Sequence, residues 1–293
     1  MHPHNPDDRQ TVIAAVQMVS VADVAANLRA AEDLIARAVE QQASLVALPE
    51  NFAVLDSGPM REFGERWGDD GGPLQQFLAG QARRHGIWLL GGTIPLITRP
   101  QDDSLLEDGR VRPASLLYDP AGQCRARYDK IHLFDVDVDD AQASYRESDS
   151  FEPGDQAVVA DTPFGGLGLT VCYDLRFPGL YRVLSGLGAE LVTVPSAFTR
   201  VTGEAHWESL IRARAIENQV YVLAPGQGGQ HNAKRTTWGH SMIVDPWGTV
   251  LACHEDGEGV AVARIDPDMP GRLRSAMPVA RHHRNVEDDG RVR

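Results

Sequence analysis

The sequence has few cysteines, fewer basic than acidic residues and no long apolar segment. Its 293 residues include three cysteines, Cys124, Cys172 and Cys253, without CxxC spacing. This sparse set argues against a disulfide framework and against a thiolate zinc site. The 28 Lys and Arg residues against 41 Asp and Glu residues give a formal charge of −13, which repels nucleic acid and anionic lipid. We therefore expect no nucleic-acid partner.

The longest apolar runs fall well short of the roughly 18 residues that a membrane span needs. Residues 1–8 also lack the basic-then-apolar order of a signal peptide. We therefore expect a cytoplasmic protein with no membrane contact. The composition, 42% hydrophobic and 24% charged, is typical of a globular protein with a core. We predict one domain over residues 11–275, a disordered N-terminal tail over 1–10 and a C-terminal tail over 276–293.

The order of predicted elements repeats once along the chain. Residues 11–128 and residues 166–253 each give strand, helix, strand, helix, strand and then a hairpin around an Asp-Pro-x-Gly turn. Strand–helix–strand units imply parallel strands with right-handed crossovers. Two such halves, with their mixed sheets stacked and their helices outside, predict an α/β fold that is a four-layer αββα sandwich with an internal pseudo-two-fold repeat.

Cys172 is the candidate nucleophile. It follows a short apolar strand predicted over residues 167–171 and precedes a helix that starts near Phe177-Pro178. A strand-to-helix turn exposes its corner residue and leaves the next backbone N–H, that of Tyr173, free to stabilise an oxyanion. The alternative is a buried cysteine that acts as a small hydrophobic residue. The adjacent charges of Asp174 and Arg176 argue against that alternative.

The motif Cys172-Tyr173-Asp174-Leu175-Arg176-Phe177-Pro178 resembles the nucleophile signature of the nitrilase superfamily of carbon–nitrogen hydrolases. That family uses a Glu–Lys–Cys triad, and the resemblance implies the αββα fold and no cofactor or metal. Glu50 matches the glutamate and follows a predicted buried strand over residues 44–48. Lys130, in Tyr-Asp-Lys-Ile-His-Leu-Phe, matches the lysine. In the family a second glutamate lines the pocket, and Glu147 is its match, although a solvated surface acid is the alternative.

The triad residues suit hydrolysis of an amide. A neutral thiol attacks poorly, so Glu50 would accept its proton. Lys130 and the Tyr173 N–H would stabilise the oxyanion. Glu50 or Glu147 would then protonate departing ammonia, and an activated water would hydrolyse the Cys172 thioester.

Other functions are less well supported by the residues. A papain-like cysteine hydrolase needs a histidine partner, and His132, His206 and His240 are available, but none has a signature of that kind. A binder without catalytic activity would be expected to have lost a triad residue, and all three are present. No complete nucleotide-binding or metal-binding motif occurs.

Further stretches, including residues 195–207 and 239–248, are similar to the Nit branch of the superfamily, most of all to deaminated glutathione amidases, with ω-amidases as the sister group. Both groups are expected to cleave a terminal amide from a 2-oxo acid, releasing ammonia, so the resemblance implies an anionic small-molecule amide substrate. Arg176 would hold the far carboxylate, unless it is paired structurally with Asp174 or a glutamate. The candidate substrate-binding residues are Tyr173, Arg176, Phe198, Thr199 and Thr202. The resemblance also implies a homodimer or higher homo-oligomer, with helices near residues 177–187 and 206–218 pairing across a two-fold axis.

Overall fold

The computed structural model describes residues 11–55, 60–68 and 71–284. The described strands are β1 (Thr11–Gln17), β2 (Leu45–Ala47), β3 (Trp88–Leu90), β4 (Ile94–Leu96), β5 (Arg112–Tyr118), β6 (Cys124–Asp129), β7 (Asp135–Asp137), β8 (Ser144–Arg146), β9 (Val158–Thr162), β10 (Gly165–Leu169), β11 (Ala189–Thr193), β12 (Tyr221–Ala224), β13 (Gly228–Gln230), β14 (Thr236–Trp238), β15 (Ser241–Val244), β16 (Val250–His254) and β17 (Gly259–Ile265). The described helices are α1 (Val24–Glu40), α2 (Met60–Phe63), α3 (Pro73–His85), α4 (Pro178–Gly186), α5 (Arg200–Asn218), α6 (Met269–Ala276) and α7 (Val279–His282). The predicted tail over residues 1–10, and residues 285–293 of the predicted C-terminal tail, lie outside the described residues.

Two mixed sheets repeat the same pattern. The larger sheet has the order β17-β1-β2-β3-β5-β4, with β6 also paired to β5, and the smaller has the order β16-β15-β12-β11-β10-β9. Strands β1, β2 and β3 are parallel, as are β10, β11 and β12, and antiparallel strands flank both triplets. The predicted internal repeat is therefore present in the sheet topology.

Alternate residues of β1 face two different apolar layers. Ile13 belongs to the buried cluster that contains Leu169 of the second sheet and Trp207 of α5. Val12 belongs instead to the cluster that contains Leu34 of α1. Because side chains alternate along a strand, β1 is covered on one face by the other sheet and on the opposite face by helices. This arrangement confirms the predicted four-layer αββα sandwich.

The helix boundaries follow from local signals. Asp23 caps α1 by accepting a hydrogen bond from the Ala26 N–H at 3.0 Å. Pro73 occupies the first turn of α3, and Gly86 ends that helix with a φ of 64°. Helix α5 begins at Arg200 rather than at His206 as predicted, because the Thr199 hydroxyl caps it through the Thr202 N–H. Residues 267–284, whose sequence has little periodicity, contain α6 and α7.

Two segments differ in structure from what their sequences predict. The apolar run over residues 87–97 predicts a single strand, but the chain is divided there into β3 and β4 at Gly91-Gly92. A Cβ on Gly92, whose φ is 52°, would lie 2.0 Å from the Pro49 carbonyl oxygen, so the chain turns there without a side chain. The acidic segment 135–149 lacks a clear period and so predicts a loop, but it contains the β7–β8 ladder and a one-turn 3₁₀ helix at Glu147–Asp149.

None of the helices within the described ranges is long and apolar enough to span a membrane.

Candidate active site

Cys172 opens a 3₁₀ turn, Cys172–Arg176, between β10 and α4. Its φ of 48° lies in the left-handed region that residues with a side chain seldom adopt, a strain that concentrates at functional sites. The prediction of an exposed corner thiol is wrong, since Cys172 is 7% exposed. The loop after β11 covers the turn, and the Cys172 N–H donates to the Pro195 carbonyl at 2.9 Å. The Tyr173 N–H has no acceptor among the described residues.

Three ionisable side chains from distant segments meet beside this turn. Lys130 Nζ lies 2.9 Å from Glu50 Oε1 and 2.8 Å from each carboxylate oxygen of Glu147. Lys130 is 1% exposed and Glu50 is 5% exposed, so the cluster is buried. Glu147 also accepts a 2.6 Å hydrogen bond from the Phe134 N–H. The alternative of Glu147 as a solvated surface acid is therefore wrong.

Burial and charge set the protonation of this cluster. Burial alone would lower the pKa of Lys130, but the charges of Glu147 and Glu50 raise it well above its usual value. Burial raises the pKa of Glu147, against the opposing charge of Lys130. Burial, together with the charge of Glu50, also raises the pKa of the Cys172 thiol well above its usual value. The site therefore holds a charged ammonium and a neutral thiol, which needs a base before it attacks.

Asp174 connects the cysteine turn to the lysine segment. Its fully buried carboxylate accepts hydrogen bonds from the Tyr128 hydroxyl at 2.7 Å, the His132 backbone N–H at 3.0 Å and the Val171 N–H at 2.9 Å. His132 Nδ1 also lies 2.7 Å from Asp174. Because Lys130 lies between Tyr128 and His132 in the chain, this network fixes Lys130 relative to the cysteine turn.

None of the three histidines considered as a papain-like partner borders the cavity beside Cys172. His132 is bonded to Asp174 and stacks on Phe177 with ring centroids 3.6 Å apart. His206 lies 3.3 Å from Arg176 Nη1, and His240 stacks on Trp238 at 4.1 Å. The glutamate is therefore the base that the geometry offers to the thiol.

The glycine-rich loop before β13 supports the backbone of Glu50. Gln227 Nε2 donates to the Glu50 carbonyl oxygen at 3.0 Å and to Ser20 Oγ at 2.8 Å. A Cβ on Gly228 would lie 2.6 Å from Gln17 Nε2, so this close approach requires glycine. Nothing in the sequence of this loop predicts its support of Glu50.

A cavity of roughly 210 Å³ opens over the cluster. Its concave shape, with aromatic and polar side chains together in its lining, suits a small molecule. The cavity brings together every residue predicted for the site: Glu50, Lys130, Glu147, Cys172, Tyr173, Arg176, Phe198, Thr199 and Thr202. Thr199 has a second task, since its hydroxyl caps α5.

Arg176 is not paired with Asp174, so the structural alternative for this residue is wrong. Its guanidinium lies 5.2 Å from the Phe198 ring centroid and 5.9 Å from that of Tyr173. Within the described ranges no carboxylate lies within ion-pair distance of it. A cation of this kind on a cavity wall is suited to an anionic ligand.

Several lining residues had no assigned role in the sequence-based prediction. They are Asn51, Phe134, Gln142, Tyr145, Arg146, Phe151, Ala197 and Arg235. Most lie in or near the segment 135–151, whose hairpin was not predicted. Arg235 follows Lys234 after the glycine-rich loop, and a pair of charged residues of this kind is typical of an exposed surface. Only the contacts of Arg235 in the structure show that it faces the cavity. In the part of the chain that the structure describes, no group of three His, Cys, Asp or Glu side chains is arranged to hold a metal ion.

A buried thiol, a carboxylate and a fixed ammonium around one cavity are suited to hydrolysis through a covalent cysteine intermediate. Comparison with known proteins agrees. Residues 12–275 match the family model of carbon-nitrogen hydrolases. The chain is 45% identical to deaminated glutathione amidase of Yersinia enterocolitica, over 94% of this chain and 93% of the relative. It is 40% identical to that of Homo sapiens, over 93% of this chain and 82% of the relative.

Solved structures give the same assignment. The Caenorhabditis elegans NitFhit protein matches with a TM-score of 0.81 and 37% identity, over 95% of this chain and 69% of that chain. Saccharomyces cerevisiae Nit3, a member of branch 10 of the nitrilase superfamily, matches with a TM-score of 0.80 and 33% identity, over 92% of this chain and 95% of that one. The chain belongs to the carbon–nitrogen hydrolase family. It is an amidase that acts on carbon–nitrogen bonds other than peptide bonds.

Proposed function

We propose that this amidase hydrolyses deaminated glutathione. The observation that carries the proposal is the unpaired guanidinium of Arg176 in the cavity that holds Cys172, Glu50 and Lys130. An acidic chain that keeps an unpaired cation beside its nucleophile is suited to a substrate with a carboxylate near the scissile amide. The similarity to deaminated glutathione amidases adds the identity of that substrate.

Deaminated glutathione is glutathione with a keto group in place of its free amine. It has an oxo-acid carboxylate, an internal amide to cysteinylglycine and a terminal glycine carboxylate. Hydrolysis of the internal amide releases 2-oxoglutarate and the amine of cysteinylglycine. Release of ammonia, which was expected from the sequence, applies to unsubstituted amides such as 2-oxoglutaramate.

In the first half of the proposed mechanism, Glu50 accepts the Cys172 proton as Sγ attacks the amide carbon. The raised pKa of the thiol makes this base necessary. Lys130 and the free Tyr173 N–H donate to the oxyanion of the tetrahedral intermediate. The protonated Glu50 then gives its proton to the departing nitrogen, the carbon–nitrogen bond breaks and a Cys172 thioester remains.

In the second half, Glu50 takes a proton from water, whose oxygen attacks the thioester carbon. The carbon–sulfur bond breaks, and the proton returns to Cys172. Glu147 has a different role in this proposal, because both its oxygens hold Lys130 and one also accepts the Phe134 N–H. Glu147 therefore positions Lys130 and lowers the cost of burying its charge. Arg176 binds the oxo-acid carboxylate, while Tyr173, Phe198, Thr199 and Thr202 form the surrounding wall.

A substrate panel tests this function. We expect kcat/KM to be highest for deaminated glutathione, lower for 2-oxoglutaramate and lowest for an N-carbamoyl amino acid and an aliphatic nitrile. Hydrolysis of the first two substrates is measured by the 2-oxoglutarate released, and hydrolysis of the other two by the ammonia released. A preference for the carbamoyl compound or the nitrile would refute the assignment.

The proposal extends to location and assembly. All three cysteines are free, which suits a reducing cytoplasm. Val183 in α4, Leu187 directly after α4 and Ile216 in α5 are exposed (48%, 58% and 46%), and pairing of two chains would cover these apolar side chains. We therefore propose a cytoplasmic homodimer.

A further inference from the structure

Arg235 is a second guanidinium on the cavity wall that has no carboxylate partner among the described residues. Its Nε is buried and has no hydrogen-bond partner, and its Nη2 donates to the Ala197 carbonyl at 3.2 Å. Its guanidinium carbon lies 4.8 Å from the ring centroid of Tyr145. No described Asp or Glu lies within ion-pair distance of it. Because removing a charge from water is costly without an opposite charge, Arg235 is suited to an anion that the cavity receives.

Nearby acids do not neutralise Arg235. Asp140 accepts hydrogen bonds from the Tyr145 hydroxyl at 2.7 Å and from the backbone N–H groups of Gln142 and Ala143, both at 2.9 Å. The neighbouring cation Arg146 donates a hydrogen bond to Asp137 at 2.9 Å. Asp140 and Asp137 are therefore already occupied by other donors.

A series of aromatic contacts connects Arg235 to Arg176. Arg235 lies over Tyr145, whose ring centroid is 5.1 Å from that of Phe134, and the Phe134 centroid is 5.1 Å from that of Tyr173. Arg176 lies over Tyr173 at the far end of this series. Ala197 also accepts a hydrogen bond from Arg235, and the ring of the adjacent Phe198 lies 5.2 Å from the Arg176 guanidinium. Contacts with the aromatic series and with this segment therefore position both cations before a ligand binds, which reduces the entropy lost on binding.

We infer that Arg235 forms a second anion subsite that binds a carboxylate on the leaving-group side of the scissile amide. The inference rests on the proposed function and narrows its substrate class to amides with a carboxylate on each side of the scissile bond. Deaminated glutathione has this form, with two residues in its leaving group, which extend to about 7 Å. 2-Oxoglutaramate has the first carboxylate alone. Arg235 thereby selects a peptide-like leaving amine over ammonia.

A matched pair of substrates tests the subsite. One is deaminated glutathione, and the other is the same molecule with its glycine carboxylate converted to a carboxamide, which removes one charge and keeps the length. The quantity compared is the ratio of kcat/KM for the carboxylate to kcat/KM for the carboxamide. We expect this ratio to be about 30 in wild type, because the carboxamide loses one charge-assisted hydrogen-bonded contact.

The same ratio is compared in two Arg235 variants and one control variant. Arg235→Met keeps the stacking length on Tyr145 and should reduce the ratio to about 1. Arg235→Lys keeps the charge without the fork geometry and should give an intermediate ratio. Lys234→Met removes the same charge from the adjacent exposed residue, which does not border the cavity, and should leave the ratio at the wild-type value.

The outcomes separate the subsite from the proposed function. If wild type hydrolyses deaminated glutathione but Arg235→Met and Arg235→Lys keep the wild-type ratio, the subsite is refuted and the function stands. An equal loss on both substrates in both variants would also refute it, because that result indicates a structural role. If wild type does not hydrolyse deaminated glutathione, both are refuted.

Discussion

Asp174 Oδ2 accepts a 2.7 Å hydrogen bond from the Tyr128 hydroxyl, and this contact joins the segment that carries Lys130 to the turn that carries Cys172. The two residues lie 46 positions apart in the sequence. Burial, followed by the charge of Asp174, raises the pKa of Tyr128 well above its usual value, so the hydroxyl remains a donor. The relative position of nucleophile and ammonium therefore depends on a carboxylate that does not itself border the cavity.

Asp174→Asn should reduce both stability and turnover. The amide matches the carboxylate in size but cannot accept from all the donors that surround it, so one or more buried donors lose their partner. We expect a loss of about 2–4 kcal/mol in the free energy of unfolding, and at least a tenfold fall in kcat with a smaller change in KM. Urea unfolding and steady-state kinetics measure these quantities. Asp161→Asn, the same change at an exposed residue of β9, is the control. Equal behaviour of the two variants would contradict the proposed role.

The acid limb of the pH profile should report Glu147, the carboxylate that holds Lys130 through both of its oxygens. Burial raises the pKa of Glu147 above its usual value of 4.5, so kcat/KM should fall at a higher pH than an ordinary glutamate would give as the pH is lowered. Glu147→Gln removes this titrating group, so the acid limb of the residual activity should move to lower pH. Because the pKa of Lys130 is raised well above 10.5, its deprotonation should cause no loss up to about pH 9. An acid limb at the same pH in both proteins would contradict this account.

Arg176 variants should lose activity mainly on anionic substrates. Arg176→Ala should lower kcat/KM for 2-oxoglutaramate about a hundredfold, or roughly 2–3 kcal/mol, because a charge-assisted contact to the carboxylate is lost. Arg176→Lys should lie between wild type and Arg176→Ala. Arg200→Ala, at an exposed arginine that does not border the cavity, is the control. If both Arg176 variants matched wild type, another group would have to hold the carboxylate.

The sequence predicted the αββα fold because both sheets are built from apolar strands with clear turn residues between them. It also predicted Glu50, Lys130, Glu147 and Cys172 together, since each lies within an extended motif. The sequence did not predict that Cys172 is buried, because the residues that cover Cys172 belong to another segment, the loop after β11. The role of Gln227 in holding Glu50 was also missed, since that contact spans 177 residues. The sequence also did not predict that Tyr145 and Arg235 border the cavity. Their position there depends on the β7–β8 hairpin, whose polar sequence has no clear period.

The proposed homodimer predicts a specific response to charge at Leu187, the residue directly after α4. Leu187→Glu should shift the molecular mass measured by light scattering from the dimer towards the monomer at micromolar concentration, because the exposed apolar side chain would meet its symmetry mate. Leu105→Glu, a change at an exposed leucine outside α4 and α5, should leave the mass of the dimer. A monomer mass for the unaltered protein would refute the proposal.

Mass spectrometry of the enzyme during turnover tests the central claim most directly. Wild type mixed with deaminated glutathione and quenched in acid should gain the mass of one 2-oxoglutaryl group, and peptide mapping should place that group on Cys172. Cys172→Ala should keep the far-ultraviolet circular dichroism of wild type, gain no mass and release no 2-oxoglutarate. Product release from folded Cys172→Ala, or an acyl group on another residue, would contradict a mechanism through a Cys172 thioester.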